Sequence, residues 1–188
     1  GNESNLFSNK SVRNLKGFEI YQENEGTYGQ RSAQEFKNHK SFAVLKSDGS
    51  VITWGDSATG GNSSAVSDQL SANVIQIFSN ESAFAALKND GSVVTWGGEI
   101  GGDSTEVAEQ LESEVIEIVS NTYGFAALKQ DGSVVYWGNY NDPNPQNYIS
   151  PSNNSSVANQ LSSNVTHISS NSHSFAALKN DGSVVTWG

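Results

Sequence analysis

Three histidines, 20 carboxylates and no cysteine are the groups from which this 188-residue chain could build reactive chemistry. A zinc centre would need His, Cys or carboxylate ligands converging in closed geometry. His39 and His173 fall in corresponding turns of different repeats and His167 falls in a strand position, with no ligand spacing between them, so each reads as an exposed polar residue. The sequence holds no Gly-x-Ser-x-Gly elbow, no Walker loop and no dinucleotide fingerprint. Asp-Gly-Ser occurs four times, but one acidic residue per copy falls short of a calcium loop, and turn chemistry accounts for it. A carboxylate pair for glycoside hydrolysis is a tertiary arrangement that 20 candidates do not specify. The expectation is no enzyme, no metal and no cofactor.

One constellation stands out as recognition chemistry. The turns Lys37-Asn38-His39-Lys40, Ser79-Asn80-Glu81-Ser82, Ser120-Asn121-Thr122-Tyr123 and Ser170-Asn171-Ser172-His173 keep their Asn while the two residues after it change. A constant scaffold with varied tips is how a repeat-built binding face looks. Unselected drift of turn residues would leave the same pattern. A second candidate is the stretch from Asn139 to Pro151, which holds all three prolines together with Tyr140, Asp142 and Tyr148. Pro and Asn at this density predict an inserted surface loop, where tyrosines offer contact area at low entropic cost. An insertion without a role is the other reading of it.

The elements that carry these turns are repeated hairpins. Phe84-Ala-Ala-Leu-Lys and Val93-Val-Thr-Trp flank Asn89-Asp90-Gly91, and near copies run from Phe42 to Gly55, Phe125 to Gly138 and Phe175 to Gly188. Aromatic and β-branched runs around an Asp-Gly turn predict a β-hairpin whose glycine is left-handed in a three-residue loop with a bulge. Because apolar residues occupy both faces of each strand, the hairpin should be covered on both sides, with its Trp largely buried. Trp54, Trp96, Trp137 and Trp187 recur at intervals of 42, 41 and 50 residues. Upstream of the last three hairpins lie further strand-like runs, Val74–Phe78, Val115–Val119 and Val165–Ser169. Between Trp-Gly and the next strand, Val66/Leu70, Val107/Leu111 and Val157/Leu161 stand four apart, which suits a one- to two-turn helix capped by the Ser or Asn in front.

A unit of about 40 residues with three strands cannot bury both faces alone, so neighbouring units must stack. The fold class is therefore all-β, with propeller-type blades over residues 32–188, as an incomplete ring or part of a larger assembly. Residues 1–31 do not fit the repeat; they read as an irregular cap, or as a donated strand at Phe18-Glu19-Ile20-Tyr21. Ser32–Phe36 occupies the place of a first strand but lacks most of its apolar residues, so the first blade looks degenerate.

The order strand, Asn turn, Phe-Ala-Ala-Leu-Lys, Asp-Gly-Ser, Trp-Gly and Gly-rich stretch resembles the regulator-of-chromosome-condensation repeat over about Ser32 to Gly188. Unit length is similar to that of the shorter-bladed bacterial members, among them a secreted β-lactamase inhibitor. The resemblance implies a propeller, although the family's usual closed ring has seven blades and this chain has four hairpins. In that inhibitor the like-placed turns contact a protein partner, which implies Lys40, Ser82, Tyr123 and His173 as contact residues here.

Charge bounds the partners further. Acidic side chains outnumber basic ones 20 to 10, for a net charge of −10, and no basic cluster interrupts that field. Such a surface repels phosphate backbones, so nucleic acid is not an expected partner and the chromatin role of the family's founding member is not carried over. No run approaches the roughly 18 apolar residues of a spanning helix. Low charge, abundant Ser, Asn and Gly and absent cysteine suggest an extracellular or cell-surface bacterial repeat protein. A chain beginning at Gly1 without Met reads as a processed form, an excised fragment or a partial chain. The expected function is a non-enzymatic recognition or assembly module that binds a protein partner or copies of itself, as an oligomer or as part of a longer chain. The alternatives are a carbohydrate-binding adhesin and a structural subunit of a surface fibre or layer.

Overall fold

The computed structural model describes residues 38–138 and 155–188. The cap or strand-donor segment 1–31, the run Ser32–Phe36 and the loop candidates Tyr140, Asp142 and Tyr148 lie outside the described residues. Every predicted hairpin forms. Strands β1 (Ser41–Leu45) and β2 (Val51–Gly55) make a two-stranded antiparallel sheet. The three sheets that follow are three-stranded antiparallel meanders: β3 (Val74–Ser79), β4 (Ala83–Lys88), β5 (Val93–Gly97); β6 (Val115–Ser120), β7 (Phe125–Lys129), β8 (Val134–Trp137); and β9 (Val165–Ser170), β10 (Phe175–Lys179), β11 (Val184–Trp187). These are blades 1 to 4. Within each hairpin the repeat's Phe sits opposite its Trp, as Phe84 opposite Trp96, and the two rings stack with centroids 5.3 Å apart.

The hairpin turns follow from their sequence. Gly49, Gly91, Gly132 and Gly182 take φ between 79° and 84°, the left-handed region that the loop requires. The Asp before each glycine accepts the backbone N–H and the hydroxyl of the Ser after it, at 2.9 and 2.6 Å in the second blade. The connections are less regular than the four-residue spacing predicts. They are 3-10 turns at Ser64–Val66 and Thr105–Leu111 and a short α-helix at Ser155–Gln160. Their caps stand one residue earlier than a serine cap would: Asn62 accepts from Ser64 N–H and Asp103 from Thr105 N–H, while the Ser63 and Ser104 side chains cap nothing.

The described residues share no single core. Each of three hydrophobic clusters fills one seam between adjacent blades. In the second seam Ala83, Ala85 and Leu87 of β4 meet Phe125, Ala127, Val135 and Trp137 of the next blade. The other side of β4, Phe84 and Ala86, packs with Val94 and Trp96 against blade 1. Two-sided burial holds for blades 2 and 3 and fails at the ends. Trp54 is 43% exposed and Ile52 beside it 50%, because no described blade precedes them; Leu178 and Val184 on the far side of blade 4 are exposed as well. The expectation that every repeated Trp is buried is therefore corrected at Trp54.

Backbone bonds lock each seam. The hairpin glycine of one blade offers its carbonyl to the first strand of the next: Val74 N–H to Gly49 O, Val115 N–H to Gly91 O and Val165 N–H to Gly132 O, at 2.9–3.0 Å. A Cβ on Gly91 would lie 2.7 Å from Glu114 N, whereas one on Gly182 would meet nothing within 4 Å. Both glycines carry the same positive φ, so both alanine variants incur the left-handed cost of about 1–2 kcal/mol. Only Gly91→Ala also wedges a seam apart, adding about 1–3 kcal/mol of overpacking. Urea unfolding of the two variants should show that difference, and equal losses would mean that the tips do not dock.

The same turns give the fold an acid limit. The Ser50 hydroxyl, then its N–H, and Lys46 lower the Asp48 carboxyl from 3.8 to about 2. Asp90, Asp131 and Asp181 are lowered in the same way by Ser92, Ser133 and Ser183. A carboxyl depressed by folding adds stability above its unfolded value and loses it as pH falls through the folded one. Stability should thus decline as pH drops from about 4 to about 2. Urea midpoints across that range check this, and replacing all four by Asn should flatten the decline.

Candidate functional site

The varied turns are built on the recurring asparagine, which is a fixed part of the backbone path. Asn80 accepts Ser82 N–H at 2.9 Å and Ala83 N–H at 2.7 Å, and Asn121 accepts Tyr123 N–H and Gly124 N–H at 2.8 Å each. Asn38 and Asn171 repeat the pair in blades 1 and 4. Two bonds to one side-chain oxygen hold the turn closed whatever residues stand between them. The positions that vary are free of this duty, and their side chains can point outward.

The structure distributes the four contact candidates unequally. Lys40 is exposed in blade 1. Ser82 is half-buried and turns inward, its hydroxyl 3.3 Å from the Ile100 carbonyl. Tyr123 and His173 come together, with ring centroids 5.5 Å apart and planes tilted by 56°. Their turns are tied across the seam by Thr122 N–H to Ser172 O at 3.1 Å, and the Ser172 hydroxyl lies 2.7 Å from His173 Nδ1. His39 and His167 are also exposed; His167 faces Glu117 of the neighbouring blade at 3.6 Å. Among the described residues no three His, Cys, Asp or Glu side chains are grouped to hold a metal ion, and no helix is long and apolar enough to cross a membrane.

Beneath Tyr123 and His173 the seam between blades 3 and 4 opens into a cavity of about 60 Å³, walled by Phe125, Tyr136, Trp137, Phe175 and Trp187. Tyr136 and Trp187 are 6% and 5% exposed, yet neither the Tyr136 hydroxyl nor Trp187 Nε1 has a hydrogen-bond partner. Burial raises the Tyr136 phenol above its ordinary value of 10.0, so it stays protonated. Sequence reasoning did not find this cavity. Its one sequence signal is Tyr136, which stands where the other repeats have Thr53, Thr95 and Thr186.

No family model and no curated protein matches this chain. Solved structures do. The crystal structure of Prp20p from Saccharomyces cerevisiae, described with its binding to Gsp1p and histones, aligns at 16% identity and a TM-score of 0.52, covering 81% of this chain and 43% of that one. Yeast RCC1 (Prp20) in complex with Kap60 aligns at 17% and 0.51, covering 79% and 41%. The CRINKLY WD40 ectodomain of the Arabidopsis thaliana receptor kinase ACR4 aligns at 19% and 0.50, covering 81% and 49%. At such identities the likeness shows the fold alone, an RCC1-like β-propeller. This chain spans less than half the length of each of the three.

The orphaned indole makes blades 3 and 4 a natural control pair. Trp137 donates Nε1 to the Gly101 carbonyl at 3.1 Å, whereas Trp187 keeps the same Phe stacking with no bond. Trp137→Phe should therefore destabilise the fold by about 1–3 kcal/mol more than Trp187→Phe, the added cost of a carbonyl left bare. Thermal unfolding of the two proteins would show it.

Proposed function

We propose that this chain is a non-enzymatic recognition module that binds a protein partner through its varied blade turns, with Tyr123 and His173 at the centre of the contact. One observation carries the reading: of the four varied turns, the two with a ring at the second position after the Asn are adjacent, bonded to each other and set over an aromatic seam. Rigid aromatic groups at a rim are the residue types from which interface hot spots are made. Likeness to propellers described with protein partners, Gsp1p and histones for Prp20p and Kap60 for yeast RCC1, supports a protein rather than a small substrate. The acidic surface, net −10, favours a partner with a basic face. Composition supports a bacterial extracellular or cell-surface setting, akin to the short-bladed inhibitor, and the ACR4 likeness is to a receptor ectodomain. Lys40 would lie at the rim of the contact, with Tyr140, Asp142 and Tyr148 as further contacts.

The end faces favour a second reading, assembly with copies of itself or with further blades. Ile52 and Trp54 at one end and Leu178 and Val184 at the other present apolar surface of the kind that the internal seams bury. Blade-to-blade contact there would make the chain an oligomer or one part of a longer array, including a surface fibre or layer.

Affinity capture separates these readings. The Tyr123→Ala/His173→Ala double variant should lose its protein partner by about 30-fold in affinity or more, the loss of one hot spot. Leu178→Glu with Val184→Glu should leave that capture intact and abolish self-association in sedimentation. Binding on a glycan array without protein capture would instead support a carbohydrate-binding adhesin.

A further inference from the structure

The two seams on either side of blade 2 share a contact that no described residue repeats in the third. In the first, Asn38 Nδ2 donates to Thr59 O at 2.7 Å and Trp96 Nε1 to Gly60 O at 3.1 Å. In the second, Asn80 Nδ2 donates to Ile100 O at 2.7 Å and Trp137 Nε1 to Gly101 O at 3.1 Å, while Thr95 Oγ1 donates to Gly102 O at 3.0 Å. An Asn from one blade and a Trp from the next thus grip consecutive backbone carbonyls of a Xaa-Gly turn. The glycine is obligatory on two grounds. Its φ is 100° at Gly60 and 94° at Gly101, and a Cβ on either would lie 2.7 Å from the ring of the following Phe84 or Phe125.

In the third seam the gripping groups are all present, and no described residue supplies such a turn. Asn121, Trp187 and Tyr136 occupy the places of Asn80, Trp137 and Thr95, and all three line the cavity. Trp187 Nε1 and the Tyr136 hydroxyl are buried without partners. Residues 139–161, which follow Gly138, contain no glycine, so the chain has no residue there able to repeat the packing against Phe175.

We propose that the seam between blades 3 and 4 is a preformed socket for a Xaa-Gly turn of a partner polypeptide. Asn121 Nδ2 and Trp187 Nε1 take its two consecutive carbonyls, the Tyr136 hydroxyl takes the next, and Phe175 lies against the glycine. Tyr123 and His173 stand at the mouth, so the proposal rests on the protein-binding reading and names what the partner inserts. Only backbone carbonyls and a left-handed glycine are read inside the socket; the flanking residues of the partner are read at the rim.

The test is titration of the intact chain, ¹⁵N-labelled, with a cyclic peptide carrying Glu-Ile-Gly-Gly-Asp, the sequence of the turn that fills the second seam. Cyclisation forms the turn before binding. The Trp187 indole N–H resonance, assigned by its loss in Trp187→Phe, should shift saturably. A peptide with Ala for the first glycine should bind about tenfold more weakly or worse, and Tyr136→Phe, which keeps the ring, should lower affinity about fivefold, the loss of one hydrogen bond. The socket is overturned if no saturable shift occurs or if the Ala peptide binds equally well. Loss of peptide binding with partner capture still abolished by Tyr123→Ala/His173→Ala would overturn the socket and leave the protein-binding reading standing. A peptide that binds as expected where no protein is captured would do the reverse.

Discussion

A carbonyl shared between two blades is the contact on which this architecture depends. Each described sheet has three strands at most and apolar side chains on both faces, so alone it would expose as much hydrophobic surface as it covers. Stacking removes that surface from water but cannot by itself fix how two sheets meet. The polar bonds do so. Gly49, Gly91 and Gly132 each give a carbonyl to a valine N–H of the next blade, and Asn38 with Trp96, then Asn80 with Trp137, clamp the connection that crosses the seam. Burial thus supplies most of the stabilisation, and the bonds select one register among many apolar ones. Because each cluster belongs to one pair of neighbours, stability is a sum over seams, and the weakest seam opens first.

What was legible in the sequence was whatever local chemistry decides. Asp-Gly turns between β-branched runs specified four hairpins, whose register sets each Phe opposite its Trp. Helical spacing in Val107/Leu111 and Val157/Leu161 marked residues that are buried or packed on the seams. The contacts that depend on a neighbouring blade were invisible. Asn80 reads as a turn residue, and nothing local to it shows that its amide reaches Ile100, 20 positions on. Trp54 carries the same motif as Trp96, yet no described blade lies against its ring and it remains exposed. Glu114, at φ 65°, takes a left-handed position that its residue type disfavours, and its carbonyl accepts Gln130 N–H of the same blade at 2.8 Å.

The rim is a product of that division of labour. Once Asn121 and Asn171 have closed their turns with two bonds each, residues such as Tyr123 and His173 can change without loosening the blade. The scaffold also limits what a turn can offer. Ser82 has the same place in its blade but spends its hydroxyl on Ile100, because the Xaa-Gly connection passes beneath it. Tyr123 instead lines the mouth of the cavity in the third seam, beside His173. Repeat position alone therefore does not make a contact residue; the seam under it decides whether the side chain faces inward or out.

The third seam shows what a propeller gives up when one connection departs from the glycine rule. Trp187 remains stacked on Phe175 at 5.4 Å and tilted against Tyr136 at 5.8 Å, so dispersion and burial still hold the indole in place. Its N–H is nonetheless desolvated without a partner, a cost of about 1–3 kcal/mol that Trp96 and Trp137 do not bear. The apolar part of the seam outweighs this cost, with Leu161, Val165 and Ile168 buried alongside. A binding group can remain unpaired only where packing independent of it is sufficient, and such a group is already desolvated when a ligand arrives. Its donors lie along one path, so an incoming chain is ranked by how many carbonyls it can present in sequence rather than by its side chains. A turn with a β-carbon at the critical position forfeits the approach to Phe175, and with it every bond beneath.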